Sequence, residues 1–469
     1  MNKQQNMNYI NQLWDDSIIP TLMEYIKIPN KSPQFDAKWI EHGYMDQAVD
    51  LIYKWCKQHA VKNMKIDVVR LENRTPVILM DIPGSKDDTI LLYGHLDKQP
   101  EMSGWDADLH PWKPVLKGDK LYGRGAADDG YAAFASLAAI KSLQAQNLPH
   151  ARCVILIEAC EESGSYDLPF YIDALKDRIG TPSLVVCLDS GCGNYEQLWT
   201  TTSLRGLATA ILKIDVLKQG VHSGSGSGIV PSCFQVLRQL LNRLEDENSG
   251  DIILDELYVD IPPKRIEQAN QAATVLGDSI FNELPFSDGT KARDGSLPDL
   301  ILNRTWRPAL SVIGMNGLPA IENAGNVTIP SLTVKLSMRL PPSSDAEKAA
   351  LAIQTCLEEN PPFDANIECT MPEMASGWDA PEEAAWLVEA SNEASFNYFG
   401  KPAVSMGEGG SIPFMGMLGK KFPKAQFLIT GVLGPQSNAH GPNEFLHIPT
   451  GKKLTASVAH VIAEHYQKA

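Results

Sequence analysis

Residues 131–162 read YAAFASLAAIKSLQAQNLPHARCVILIEACEE. The first half is a helical pattern rich in alanine and leucine. The second, CVILIEAC, is a short apolar run of the kind that forms a buried strand. Strand-like runs of the same type stand on either side, in TPVILMDIP (75–83), TILLYGHLD (89–97) and SLVVCLD (183–189). Strands alternating with helices predict an α/β layer with a mostly parallel central sheet flanked by helices. The stretch ends on two adjacent carboxylates, Glu161 and Glu162. Neighbouring side chains of a strand point to opposite faces. If both act, the backbone must leave the strand there and their roles must differ; otherwise the pair only solvates a strand end.

Near residue 205 the texture changes. LATAILKIDVLKQGVHSG (207–224) alternates like a half-buried strand entering a Gly/Ser loop, and the helix FQVLRQLLNRLE (234–245) follows. A polar stretch from about 245 to 305 interrupts, after which the strand LTVKLSMRLPP and the helix AEKAALAIQTCLEE resume. This order suggests a small α+β domain inserted into the first. The α/β texture returns at about 378 with PEEAAWLVEASNEASFNYFG, the loop MGEGGSIPF, the strand AQFLITGVLG and a closing helix. The expected division is 1–204 and 378–469 for the main domain, with 205–377 inserted.

The 469 residues carry a formal charge of −16 without a long run of one sign, which argues against nucleic acid or an anionic membrane as partner. No 18-residue apolar run and no apolar leader is present, so the chain reads as soluble and cytoplasmic. Its eight cysteines form no C-x-x-C pair and several lie in apolar runs, as reduced, buried thiols do.

Candidates for metal chemistry lie at strand ends. His95 and Asp97, two apart, point the same way on a strand, which suits an imidazole ligand whose second ring nitrogen is held by a carboxylate. LYGRGAADDG (121–130) is a Gly-rich turn delivering Asp128 and Asp129 to a helix start, where one of them can also serve as N-cap. Asp189 ends another buried strand, and QSNAHGPNEF (436–445) places His440 in a polar turn. In open α/β sheets ligands gather at the carboxyl ends of strands. Five segments ending in His, Asp, Glu-Glu, Asp and His suit two metals: His95 and Asp189 on one, Glu162 and His440 on the other, Asp128 bridging. Two dications balance three carboxylates and a bridging hydroxide. Glu161 is then free to act as the base that takes the proton from the attacking water.

In this order and spacing, GHLD, GRGAADD, EESGS, CLDSG, MGEGGS and NAHGPNE resemble the M20 family of dinuclear metallopeptidases, most nearly its cytosolic nonspecific dipeptidase and carnosinase branch. The resemblance implies two divalent metals, zinc or else manganese or cobalt, held by His95, Asp128, Glu162, Asp189 and His440. It further implies Asp97 behind His95, Glu161 as general acid/base, and a cis peptide between Asp128 and Asp129. The family usually has a lysine two residues after the bridging aspartate, where this chain has Gly130.

The resemblance also makes the inserted domain a lid that dimerises. His222 in GVHSG would reach the partner subunit's active site and steady the oxyanion. Arg339 in KLSMRLPP would read the substrate's carboxylate, with Ser411 and Glu408 of GEGGSIPF beside it, and Asn326 reaching across to the partner. The expected activity is exopeptidase hydrolysis of dipeptides or C-terminal residues, on small peptide substrates, by a homodimer. An amidohydrolase of N-acyl amino acids and a non-catalytic binding protein remain as alternatives.

Overall fold

The β-branched and leucine-rich runs form β1 (Lys65–Val69), β2 (Val77–Ile82), β3 (Thr89–His95), β4 (Arg152–Glu158), β5 (Pro182–Cys187), β6 (Gly206–Asp215), β7 (Val221–His222), β8 (Ala309–Asn316), β9 (Val327–Thr328), β10 (Ser331–Leu340), β11 (Asn366–Ala375) and β12 (Gln426–Ile429). The computed structural model describes residues 1–468, and of Pro413 the backbone course alone. Contacts divide the chain into two units: 1–202, 380–406 and 417–469 in the first, 203–379 and 407–416 in the second. The segment 407–416, which lies inside the stretch 378–469, groups with the second unit.

The first unit is built on a six-stranded sheet in the order β1-β2-β4-β3-β5-β12. The pairs β4–β3, β3–β5 and β5–β12 are parallel, whereas β2 runs antiparallel to both β1 and β4. Every residue of β3 is buried, as expected of a strand covered on both faces. The helices Ala132–Ala145 and Ile448–Lys468 pack on each other and contribute long buried stripes to the core. Parallel neighbours send their carboxyl ends to one edge, so His95, Asp189 and the turn after Glu158 emerge together.

The second unit holds an antiparallel sheet in the order β8-β10-β6-β11. Burial alternates residue by residue along β10, the mark of a sheet with one face in a core. That core is made with the helices Cys233–Leu241 and Ala346–Glu358. The stretch 245–305, expected as a polar interruption, contains the helices Pro263–Leu276 and Leu297–Thr305. Its apolar stripe is hard to see because the Pro263–Leu276 helix buries Arg265, Gln268, Ala269, Ala272 and Ala273 rather than large aliphatics. No helix among the described residues is long and apolar enough to cross a membrane.

Candidate metal centre

β4 ends at Glu158, opposite His95 in the parallel ladder, and the chain then turns into a 3₁₀ turn at Glu161–Ser163. The two glutamates therefore leave strand geometry, as dual roles require. Asp97 dictates how they leave. Its Oδ1 accepts from the Glu161 amide at 3.1 Å and its Oδ2 from the Glu162 amide at 3.0 Å. With both oxygens so engaged, the nearer group to His95 Nδ1 is the Asp97 carbonyl at 3.2 Å; the Asp97 carboxylate lies at 3.5 Å. The other ring nitrogen of His95 is thereby aimed at the remaining acids.

His95 Nε2 stands 3.2 Å from Asp128 Oδ1 and 3.7 Å from Asp189 Oδ2. His440 Nε2 stands 3.0 Å from Asp128 Oδ2 and 3.3 Å from Glu162 Oε2. Asp128 thus presents one oxygen to each imidazole. At this site two sets of potential ligand atoms each lie within 4.8 Å of one another: His95, Glu161 and Asp189, and His95, Asp128 and Glu162. The peptide between Asp128 and Asp129 is cis, and the amide of His95 donates to Asp129 Oδ2 at 3.3 Å.

Burial first, and then the charges of Asp189 and Asp128 respectively, push the carboxyls of Glu161 and Glu162 well above the usual carboxylate range. Burial raises Asp128 too, but His440 and His95 overcome it and hold the carboxyl low. His95 is raised in spite of burial, by Asp189 and Asp128. Glu162 Oε1 is buried without a hydrogen-bond partner among the described residues, while its Oε2 accepts from Gln99 Nε2 at 2.5 Å. Crowded carboxylates around two imidazoles, one oxygen orphaned, are a donor set that hard or borderline divalent cations fit.

In the second unit, Arg339 Nη1 donates to Ser411 Oγ at 3.3 Å. Glu408 ends the strand Val404–Glu408, from which the chain enters the Ser411 loop; burial raises its carboxyl and the Arg304 charge opposes. His222, paired with Val327 in the β7–β9 ladder, and Asn326, just before β9, are exposed, and the Ser223 amide donates to the Asn326 carbonyl at 2.8 Å. His222 Nδ1 accepts from the Gly224 amide at 3.0 Å, so a neutral ring carries its proton on Nε2.

The model of peptidase family M20/M25/M40 matches residues 91–464. The chain belongs to this family. It is 26% identical over 396 residues to the cysteinylglycine-S-conjugate dipeptidase of Corynebacterium striatum, covering 82% of this chain and 83% of that one. With the Beta-Ala-His dipeptidase of Homo sapiens it shares 28% over 361 residues, 74% and 70% of the two chains. The fold is that of human carnosine dipeptidase 1, with a TM-score of 0.80 at 21% identity over 99% of each chain.

At Gly130 of this M20 chain there is no room for a side chain. A Cβ there would lie 2.3 Å from Tyr25 Cε1 and 2.5 Å from the Gly125 carbonyl oxygen, so no side chain fits. A buried lysine nonetheless lies beside the turn. Lys98 packs its stem where a Gly125 side chain would be and donates to the carbonyls of Tyr25 and Ile28 at 2.8 Å each.

Other members of the frame escaped the reading of the sequence. Arg124, 1% exposed, donates to Glu444 Oε2 at 2.7 Å and to the Gly441 carbonyl at 2.6 Å. Glu444 Oε1 accepts from the amides of Gly125 and Asp128 at 3.0 and 3.4 Å. This pair ties the Asp128 turn to the His440 loop. Both residues lie within the motifs GRGAADD and NAHGPNE, which is the only signal they gave, since arginine and glutamate ordinarily face water.

Proposed function

We propose that this M20 chain is a metal-dependent exopeptidase that hydrolyses dipeptides or removes C-terminal residues. The observation that carries the reading is Asp128, whose two oxygens each face one imidazole, His95 on one side and His440 on the other. In this reading His95 and Asp189 would hold one divalent ion and Glu162 and His440 the second, with Asp128 available to both. Zinc is the first choice, with manganese or cobalt able to use the same donors. Bound divalent ions supply Lewis acidity and a more acidic water. Glu161 takes the proton of the attacking water at its carboxylate and later returns it to the leaving amine. Asp97 fixes the separation of the two glutamates and the orientation of His95. Arg339 and Ser411 read the substrate's carboxylate, with Glu408 beside them.

The names of the C. striatum and human relatives, both dipeptidases, favour dipeptides. A homodimer through the second unit, with His222 as oxyanion donor and Asn326 beside it acting on the partner, completes the reading. The exposed Nε2–H of His222 supports it. So does the edge strand β8, which leaves Val312, Ile313 and Met315 in water. A cytoplasmic location accords with eight free cysteines.

Purified protein analysed for metal and offered dipeptides beside N-succinyl and N-acetyl amino acids tests the whole. Two divalent ions per chain and turnover of the dipeptides are expected. Turnover of the acylated amino acids alone would replace the peptidase reading by the amidohydrolase, and no turnover of either in metal-replete protein would favour a binding protein.

A further inference from the structure

Arg205 sits at the turn between the strand Trp199–Leu204 and β6, only 8% exposed. Among the described residues its guanidinium meets backbone carbonyls alone. Nε donates to Gly409 at 3.1 Å, and Nη1 to Asn303 and Arg307 at 3.3 and 3.4 Å. Carbonyl dipoles solvate a guanidinium but leave its unit charge in place, and a buried charge without a counter-ion is costly. The cost is greater here because the two charges that act on Arg205, those of Arg339 and Arg304, have the same sign as its own. Burial first, then the Arg339 and Arg304 cations, bring the Arg205 guanidinium down to about 10.

The same residue builds the Ser411 corner. Ser411 Oγ donates to the Arg205 carbonyl at 2.6 Å, which turns the hydroxyl's lone pairs toward Arg339 Nη1. A Cβ on Gly409 would lie 2.9 Å from the Arg304 carbonyl and 3.2 Å from Arg205 Nη2, so glycine is what lets the loop lie against the guanidinium. β10 pairs with β6 so that Arg339 is opposite Leu207, two residues beyond Arg205. The second unit therefore carries a preassembled pair of cations, one buried and one partly open, joined through a single serine.

We infer that Arg205 is the positioning residue of a carboxylate well: its guanidinium holds the Gly409 carbonyl of the loop that carries Ser411 and adds to Arg339 a second, immobile positive charge that an anionic ligand offsets. The selected ligands are those with a free C-terminal carboxylate, in preference to their neutral amides. This rests on the proposed reading of Arg339 and Ser411 as carboxylate readers, and it assigns to Arg205 the discrimination that a single half-exposed arginine would provide only weakly.

The test compares wild type, Arg205→Lys and Arg205→Met on alanyl-alanine and alanyl-alaninamide. Loss of a charge-assisted partner in a site of low dielectric corresponds to about tenfold or more in affinity. Arg205→Met should lose about tenfold or more of the preference for the acid, through KM, while kcat on the amide stays within about twofold. Arg205→Lys, which keeps the charge but not the fork, should fall between. Equal loss on both substrates, or an unchanged preference, overturns the assignment. Should Arg205→Met fail to fold, Arg205→Lys alone decides by the same criterion. Equilibrium binding of leucine against 3-methylbutylamine, its counterpart without the carboxylate, needs no turnover. If wild type hydrolyses no dipeptide, the peptidase reading fails, yet a binding preference for leucine that drops in the Arg205 variants would still uphold the well; no preference would overturn it.

Discussion

Asp97 holds the backbone of Glu162 through a 3.0 Å hydrogen bond, and the other oxygen of the same carboxylate holds Glu161. One side chain thus sets the geometry of a proposed ligand and of a proposed base. Asp97→Ala releases both amides and should lower metal content and activity together, by about 10- to 100-fold in affinity or rate. Asp97→Asn keeps one acceptor and should fall between. Metal analysis beside steady-state rates checks this, and full metal content in Asp97→Ala would show the clamp to be dispensable.

Glu161 and Glu162 should separate cleanly on substitution. Glu161→Gln removes proton transfer, so a loss of about 10² to 10⁴ in rate is expected with both metals retained. Glu162→Gln removes a ligand and should lower metal occupancy along with rate. An inverse pattern of metal content would mean that the two roles are exchanged.

Removal of metal should make stability depend on pH. Without cations, burial and the neighbouring acids raise Glu161 and Glu162 well above their ordinary value of 4.5. The folded chain then keeps protons that the unfolded chain releases, so stability is greatest below 4.5 and declines as pH rises toward the folded values, by about 1.4 kcal/mol per pH unit and group. His95, also raised, adds to the decline above its ordinary value of 6.5. Asp128, lowered, contributes fully above 3.8 and adds no slope there. Melting temperatures with and without chelator from pH 5 to 8 should diverge, the chelated protein losing more at the alkaline end. Parallel curves would argue against cations as the partners of these acids.

The proposed sharing of His222 between subunits has a quantitative signature. Glu161→Ala and His222→Ala homodimers should each be inactive. A mixed dimer has one site with both groups intact and one with neither. Random exchange makes half the dimers mixed, so activity should return to about a quarter of wild type, a consequence of two-fold closure. No recovery after demonstrated exchange would assign His222 to its own subunit.

The residues that could be read in the sequence share a trait: each follows an apolar strand or stands in a glycine-rich turn. TILLYGHLD, CVILIEACEE and SLVVCLD announced β3, β4 and β5 because strands covered on both faces are apolar throughout. What stayed hidden was hidden for physical reasons. The Pro263–Leu276 helix packs on alanines and on the stem of Arg265, which show no amphipathic stripe. Arg124, Glu444, Lys98 and Arg205 are charged residues inside the protein, and their type alone places them outside. Burial of a charge depends on carbonyls and partners distant in sequence, as between Arg124 and Glu444, which no local pattern encodes.

The family match begins at residue 91, yet the wall behind Asp128 is made before it. Tyr25 fills the space over Gly130 and donates from its hydroxyl to the Leu96 carbonyl at 2.6 Å; Asn30 donates to the same oxygen, also at 2.6 Å. The segment that carries no ligand is therefore the template against which the ligand turn is cast. A chain cut to the family core would keep all five proposed ligands and lose the surface that shapes them. While Tyr25 stands there, position 130 admits glycine alone, so a residue far outside the ligand motifs decides what the ligand turn can carry.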